Sequence, residues 1–486
     1  MPTVISSFRS EAQRARVSVA SAILLIAISV FGCSDRRSGS PLVPQDDVGG
    51  SFGSDNSPTD AHADETPSEP PLEEFGCVSD WPTQEPVALV PSLDLPRYSV
   101  VGVDKPPNKY GWRDLVFSGG SIASLSIGAL VSYDVAARTF VQFAGLGRSC
   151  AVSSQPAIRR DTLRGFVSGC HGVVGLHPDF GVTPESSWGF SIQWSFTLDS
   201  NKNPYTEVTE VSTMLADPGG NLYFAATDDT FRAIRADDGA AVWTRGVQHD
   251  YRYTAYANAR VGIGDRLFFG MSSVFKRDTG IQIASIKVDG KPVSVLGATY
   301  SGKLVGEVRA EGSDSASLVV LDQCGNLQWS WGNALGYMVL VGFDESLLVG
   351  EYNIARIPVF YRFSIDGALI AGPSKFGNKA VAMALGADGV LYLSASMPNS
   401  EHRNDGTDLE LIAVSPELEV LDRLNLGFSG DEASAVLLDD GLMILRRDGV
   451  EGAEYLRIQT ASPGLARTAW PTIRRDNERT GWVAPW

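Results

Sequence analysis

Between Asp217 and Arg245 the chain reads DPGGNLYFAATDDTFRAIRADDGAAVWTR, short apolar runs set between polar turn residues. A Gly-containing turn leads into an alternating strand, Leu222 to Thr227. A tight turn at Asp228-Asp229 precedes a second strand, Phe231 to Arg235. The turn Asp237-Asp238-Gly239 opens a third strand that ends in Trp243. The same texture predicts strands at Ala129–Tyr133, Phe140–Phe143, Gly165–Ser168, Arg266–Gly270, Leu318–Asp322, Leu347–Gly350, Val359–Ser364, Val390–Ala395, Leu411–Ser415 and Leu442–Arg446. No long stretch has a period of 3.6 residues, so the pattern predicts an all-β fold.

The strands recur in a fixed order. GGNLYFAAT at Gly219, GDRLFFGMS at Gly264, DESLLVGEY at Asp344 and DGVLYLSAS at Asp388 are copies of one β-turn-β element, and DDGLMILRR at Asp439 is a weaker fifth. A further strand-turn-strand often follows, as in LVVLDQCGNLQW up to Trp329 and LIAVSPELEVLDRL up to Leu424. Units start roughly 40–45 residues apart, the length of a four-stranded propeller blade. From about Asp114 to Ala461 this leaves room for seven or eight blades.

The N-terminal region has a different character. Arg9, Arg14 and Arg16 precede Val17–Phe31, an unbroken run of apolar and small residues. A membrane span needs about 20 residues, so this run has the length of a signal-peptide core. Residues 34–76 are rich in Ser, Gly, Pro, Asp and Glu, have few large apolar side chains, and are expected to form a disordered acidic linker. The expected organisation is therefore a signal segment at 1–33, a linker at 34–76 and a propeller with a C-terminal closing segment at 77–486.

Charge narrows the partners. The 57 acidic against 40 basic residues give a formal net charge of −17. Such a field repels nucleic acid, and no basic stripe offsets it. Of the five cysteines, Cys33 ends the signal segment, which leaves Cys77, Cys150, Cys170 and Cys324. Four cysteines in an exported chain suggest disulfides with three possible connectivities. Cys150 and Cys170 fall on neighbouring expected strands; pairing Cys77 with Cys324 would tie the entering segment to a later blade. The alternative for Cys324 is a buried free thiol.

Candidate chemistry is sparse. Cys170, His171 and His177 lie close in sequence but fit no common zinc-ligand spacing. His62 falls in the linker, and His249 and His402 stand alone. Asp405, Asp408 and Glu410 sit in a polar stretch, SEHRNDGTDLE, expected to be a hairpin loop and too irregular for a calcium-binding loop. No nucleophile elbow, phosphate-binding loop or zinc-protease motif occurs. No catalytic, cofactor-binding or metal-ligating residue is assigned.

Two resemblances add to this reading. Gly32-Cys33 resembles the lipobox of bacterial lipoproteins, in which the cysteine is lipidated and becomes the mature N-terminus. Where that family has Leu and a small residue, this chain has Val30 and Phe31; the alternatives are an ordinary signal peptide cleaved nearby or an uncleaved anchor. Asp217–Trp243 and Leu318–Trp329 resemble the repeat of quinoprotein-like (PQQ-type) β-propellers. That resemblance implies that Trp194, Trp243 and Trp329 pack between neighbouring blades. Trp470–Gly481 (WPTIRRDNERTG) is similar to a W-P-x-x-R-x-D-x-x-x-T-G signature attached to many bacterial propellers, and implies a closing segment packed on the ring. Members include PQQ-dependent alcohol dehydrogenases and the propeller lipoprotein of the outer-membrane β-barrel assembly machinery. The dehydrogenases use a disulfide of adjacent cysteines and a calcium site, and no adjacent cysteine pair exists here. The expected function is thus a non-catalytic binding or scaffold protein of the bacterial cell envelope, on the outer membrane or cell surface. It would be held to the membrane by lipid and would meet a protein or glycan partner through propeller loops. The alternative is a PQQ-type oxidoreductase of the periplasm or cell surface.

Overall fold

The computed structural model describes residues 75–85, 87–105, 113–118, 121–126, 129–144, 157–159, 164–169, 172–178, 190–197, 214–226, 230–246, 260–270, 272–309, 313, 315–352, 358–397, 407–429, 433–449, 452–469, 471–472 and 482–483, all within one compact unit, Glu69–Trp486. Every regular element among them is a strand, and the strands form eight sheets. Sheets I to VII follow one another along the chain. Each is an antiparallel meander of four strands, at 113–144, 157–197, 215–246, 260–285, 291–334, 336–374 and 378–429. Two sheets gain a fifth strand: sheet V the short preceding strand Lys287–Val288, and sheet IV the strand Trp482–Val483, which runs parallel to its first strand. Sheet VIII takes three strands between Ser434 and Thr460. Its fourth and outermost strand, Tyr98–Asp104, comes from the other end of the chain and pairs antiparallel with Gly452–Thr460.

Consecutive sheets touch, chiefly through their first strands, and the first strand of sheet VIII lies beside the first strand of sheet I. The result is a closed ring, a β-propeller. One ring-closing sheet built from both ends of the chain means that neither end can leave without breaking a four-stranded ladder.

The cores lie between sheets. In strand Asn221–Ala226 of sheet III, Tyr223 and Ala225 face Leu267, Phe269 and Phe275 of sheet IV, while Leu222 and Phe224 are buried on the opposite side. Alternation along the strand therefore sends apolar groups to both neighbours instead of separating core from solvent. Sheets VI and VII share Leu348, Phe360, Leu393 and Ile412; sheets VII and VIII share Tyr392, Leu411, Met443 and Leu445. Tyr133 of sheet I packs on Tyr455 of sheet VIII across the closing seam, ring centroids 5.6 Å apart.

Two tryptophans occupy equivalent places. Trp243 stands on the last strand of sheet III, Ala241–Gly246, and donates its indole N–H to the carbonyl of Arg277 at 3.0 Å. Trp329 of sheet V donates to the carbonyl of Ile365 at 2.8 Å. Each carbonyl belongs to the last turn of the next sheet, and each turn contains a glycine under the ring, Gly280 at φ +67° and Gly367 at φ +90°. A Cβ on Gly280 would stand 2.4 Å from Trp243, and one on Gly367 would stand 2.8 Å from Trp329. Ring, carbonyl and bare turn together lock one sheet to the next. Trp194 lies on strand Phe190–Thr197; its side chain falls outside the described residues.

Turn chemistry is local and repeated. Asp217 accepts from the Asn221 N–H at 2.7 Å and from the Tyr223 hydroxyl at 2.7 Å, which folds the first turn of sheet III. Burial and then the Asp217 charge push the Tyr223 phenol upward, so it remains a donor. Asp322 plays the same part in sheet V. It accepts from the N–H groups of Cys324 and Asn326, both at 2.9 Å, and sets Cys324 at the tip of its turn.

Candidate functional site

Before its strand in sheet VIII, the chain runs as an irregular strap, residues 75–85 and 87–97, across the turns at one face of the ring. Its sequence explains the lack of a ladder: Pro82, Pro86, Pro91 and Pro96 remove donors and fix φ, favouring an extended path. Three of its N–H groups reach carbonyls of the ring instead. Val78 donates to Gln323 at 2.9 Å, Val90 to Ala387 at 3.0 Å and Leu93 to Ala461 at 2.7 Å. Phe75 packs near Phe268, the Trp81 indole donates to the carbonyl of Thr299, and Arg97 pairs with Asp388 at 3.5 Å. Cys77 is bonded to Cys324, which pins the strap to the turn that Asp322 shapes.

A cavity of about 300 Å³ opens where this strap meets two turns and the segment after sheet VIII. Gln84, Glu85 and Val87 line it from the strap. Tyr300 and Ser301 come from the first turn of sheet V, and Asp344 and Glu345 from the first turn of sheet VI. Arg467, Thr468 and Ala469 complete the wall. The volume lies at the small end of the range for ligand pockets.

The polar groups hold one another in place. Glu345 accepts from the Ser301 N–H at 2.8 Å, joining the turns of sheets V and VI. Arg362 donates to Asp344 at 2.8 Å, to the Ser346 hydroxyl at 2.9 Å and to the carbonyl of Pro416 in sheet VII at 3.1 Å. Burial pushes the Asp344 carboxyl up, but hydrogen bonds from Ser346 and the Arg362 charge outweigh it and hold the group below the ordinary aspartate value. An aspartate held ionised in this way is a weak base and no proton donor near neutral pH. The Ser301 hydroxyl is 3.0 Å from that of Thr299, and no histidine stands among the described lining residues. The arrangement can bind a small polar molecule.

Sequence-derived candidates scatter. Cys77 and Cys324 meet at the strap, while Cys33, Cys150, Cys170, His62, His171, His249, His402 and Asp405 lie outside the described residues. His177 is on strand Gly172–Pro178 of sheet II. Asp408 and Glu410 belong to strand Thr407–Val414 rather than to a hairpin loop, and Glu410 pairs with Arg423 of the next strand at 2.7 Å. The polar run hid this strand because its outward positions carry charge. Among the described residues no three His, Cys, Asp or Glu side chains converge as a metal site.

The chain is similar in fold to solved structures. The WD40 domain of SCAP from fission yeast matches 74% of this chain and 95% of its own at 9% identity, with a TM-score of 0.51. BamB from Moraxella catarrhalis matches 74% and 99% at 9% identity, with a TM-score of 0.47. The Cps50 (Swd1) β-propeller domain of Myceliophteria thermophila matches 74% and 99% at 12% identity, with a TM-score of 0.40. No family model and no curated protein matches the chain. The SCAP domain supports the propeller fold, and at 9% identity it supports nothing finer.

The cavity residues carry no sequence motif. The one local signal is the Asp344-Glu345 turn, which has two acids where three of the other repeated β-turn-β elements carry Gly-Asp, Gly-Gly or Asp-Gly; the weaker fifth, at Asp439-Asp440, shares the feature.

Proposed function

We propose that this chain is a non-catalytic binding protein of the bacterial cell envelope. Cys33 carries a lipid, residues 34–76 form a tether, and an eight-bladed propeller with quinoprotein-like repeats presents its turns to a protein or glycan partner. The eight sheets and the contact of the eighth with the first support the blade number. The observation that carries the binding reading is the strap-face cavity. Segments from both ends of the chain and from two sheets build it, Asp344 is held ionised, and Glu345 is engaged with the Ser301 N–H.

Fractionation of the source bacterium tests the location. The intact chain should sediment with membranes, and Cys33→Ala should shift it to the soluble or inner-membrane fraction as an unprocessed precursor. A chain found in the cytosol, with Cys33 unmodified, overturns the envelope reading. Activity is tested separately, with purified full chain incubated with PQQ and calcium. No cofactor absorbance and no dye reduction are expected; dye reduction would establish the oxidoreductase reading instead.

A further inference from the structure

A second surface lies farther along the strap, where residues 89–97 cross the first turn of sheet VII and reach sheet VIII. This stretch is pinned at Asp388, whose side chain is 2% exposed. The Ser92 hydroxyl donates to the Asp388 carboxylate at 2.7 Å, and Arg97 pairs with the same oxygen at 3.5 Å. Two backbone bonds, Val90 to Ala387 and Leu93 to Ala461, also hold it to the ring. The Ser92 and Arg97 side chains thus turn to the ring, while Leu89, Val90, Leu93 and Leu95 stay in solvent, each 38–53% exposed. Single exposed leucines are ordinary, but four large apolar groups within seven residues of a pinned segment form a patch. Sheet VII extends it. A Cβ on Gly389 would stand 3.0 Å from Leu89 and 3.4 Å from Pro416, so Leu89 rests beside the last turn of that sheet. The turn leads into strand Val420–Ser429, whose Val420 and Leu421 are exposed as well.

Charge decides what covers this patch. Asp94 stands in the row itself, Glu417 and Glu419 in the adjoining turn and Asp422 beside Leu421, and all four are exposed. The basic groups nearby are already engaged: Arg97 with Asp388, Arg362 with Asp344 and Arg423 with Glu410. The whole chain carries a formal charge of −17. Acids around an apolar centre attract a basic partner and speed its encounter. They repel an anionic lipid surface. A second copy of the chain would bring the same acids face to face, which costs several kcal/mol in a docked interface.

We propose that this surface docks a basic segment of a partner protein. Large apolar side chains of the segment cover Leu89, Val90, Leu93 and Leu95, and its Lys or Arg side chains meet Asp94, Glu417 and Glu419. The proposal rests on the reading of the chain as a binding protein and names the chemistry of its partner; it depends neither on lipid at Cys33 nor on an occupant of the cavity.

Fluorescence anisotropy of a labelled peptide that alternates Lys with Leu, titrated with the full chain, tests it. Saturable binding is expected, weakened by high salt. The analogue with Glu for every Lys should not bind, and the analogue with Ser for every Leu should bind about tenfold more weakly or worse. The double variant Leu89→Ser/Leu93→Ser, which leaves the charge unaltered, should also lose about tenfold or more, the effect of removing two apolar contacts. Glu417→Lys should weaken binding several-fold. Asp238→Lys makes the same change in net charge on an exposed turn of sheet III and should leave binding within about twofold. The proposal fails if the peptide gives no saturable binding, if either analogue binds as tightly, or if the double variant binds as the unaltered chain does. A chain that self-associates through these leucines, or that floats with phosphatidylcholine vesicles through them in place of binding peptide, also overturns it. The peptide comparisons need no variant, so a misfolded substitution does not protect the idea. Failure here removes this partner alone; membrane fractionation and dye reduction bear separately on the binding reading.

Discussion

Trp243→Ala should lower the stability of the ring by about 3–5 kcal/mol, the usual cost of removing a large buried aromatic. The ring is 7% exposed and packs on Tyr223 and Phe231 as well as on the Gly280 turn. Its loss also leaves the Arg277 carbonyl without the indole donor. Gly280→Val should cost at least as much. It forces a β-branched residue to φ +67°, and its Cβ would sit 2.4 Å from the Trp243 ring. The two effects should not add. With the ring gone, Gly280→Ala meets open space, so the double variant Trp243→Ala/Gly280→Ala should lie well above the sum of its single changes. Val242→Ala, at a neighbouring position that is 46% exposed, should stay within about 0.5 kcal/mol of the unaltered chain. Chemical unfolding of these four variants and of the single change Gly280→Ala measures all of this. Additive losses would mean that ring and turn are not one lock.

Cys77→Ser or Cys324→Ser should cost about 2–4 kcal/mol and should loosen the strap before anything else. The bond closes a span of 247 residues, so it restricts the unfolded chain strongly. In the folded state its effect is local. Irregular backbone bonded to turns is the cheapest part of a fold to open. Without the bond, the strap keeps only scattered contacts such as Val78 to Gln323 and Val90 to Ala387, while strand Tyr98–Asp104 keeps its full ladder with Gly452–Thr460. Amide hydrogen exchange on the reduced chain should therefore rise at Val78 and Val90 and stay unchanged in strand Leu347–Tyr352. Equal loss of protection in both places would show that the bond supports the whole ring instead. Because Glu85 and Val87 line the cavity from the strap, its release also takes away one cavity wall.

Much of the ring is legible in the sequence because its elements are local. The run NLYFAA before a polar turn, with TFRAIR after it, specifies two paired strands by alternation alone, and they pair as Asn221–Ala226 with Thr230–Arg235. Trailing tryptophans mark the last strands for the same reason. The closing strand was not legible. YSVVGVD at Tyr98–Asp104 has an ordinary strand pattern, but its partner lies some 350 residues away, and nothing local encodes that pairing. Exposed apolar groups on outer strands, such as Leu327, Leu369, Ile370 and Val420, read like core positions and blur which strand is outermost. The cavity was hidden more deeply. Glu85, Ser301, Glu345 and Arg467 meet only because the strap, two turns and a late segment converge, and each residue alone is an ordinary loop polar group.

The most direct measurement is mass spectrometry of unreduced peptides from the chain isolated from its own cells. A disulfide-linked peptide pair containing Cys77 and Cys324, together with a lipid-modified N-terminal peptide at Cys33, is the predicted result. Free thiols at Cys77 and Cys324 in a chain whose residues 1–33 are intact would contradict both the pinned strap and the envelope location.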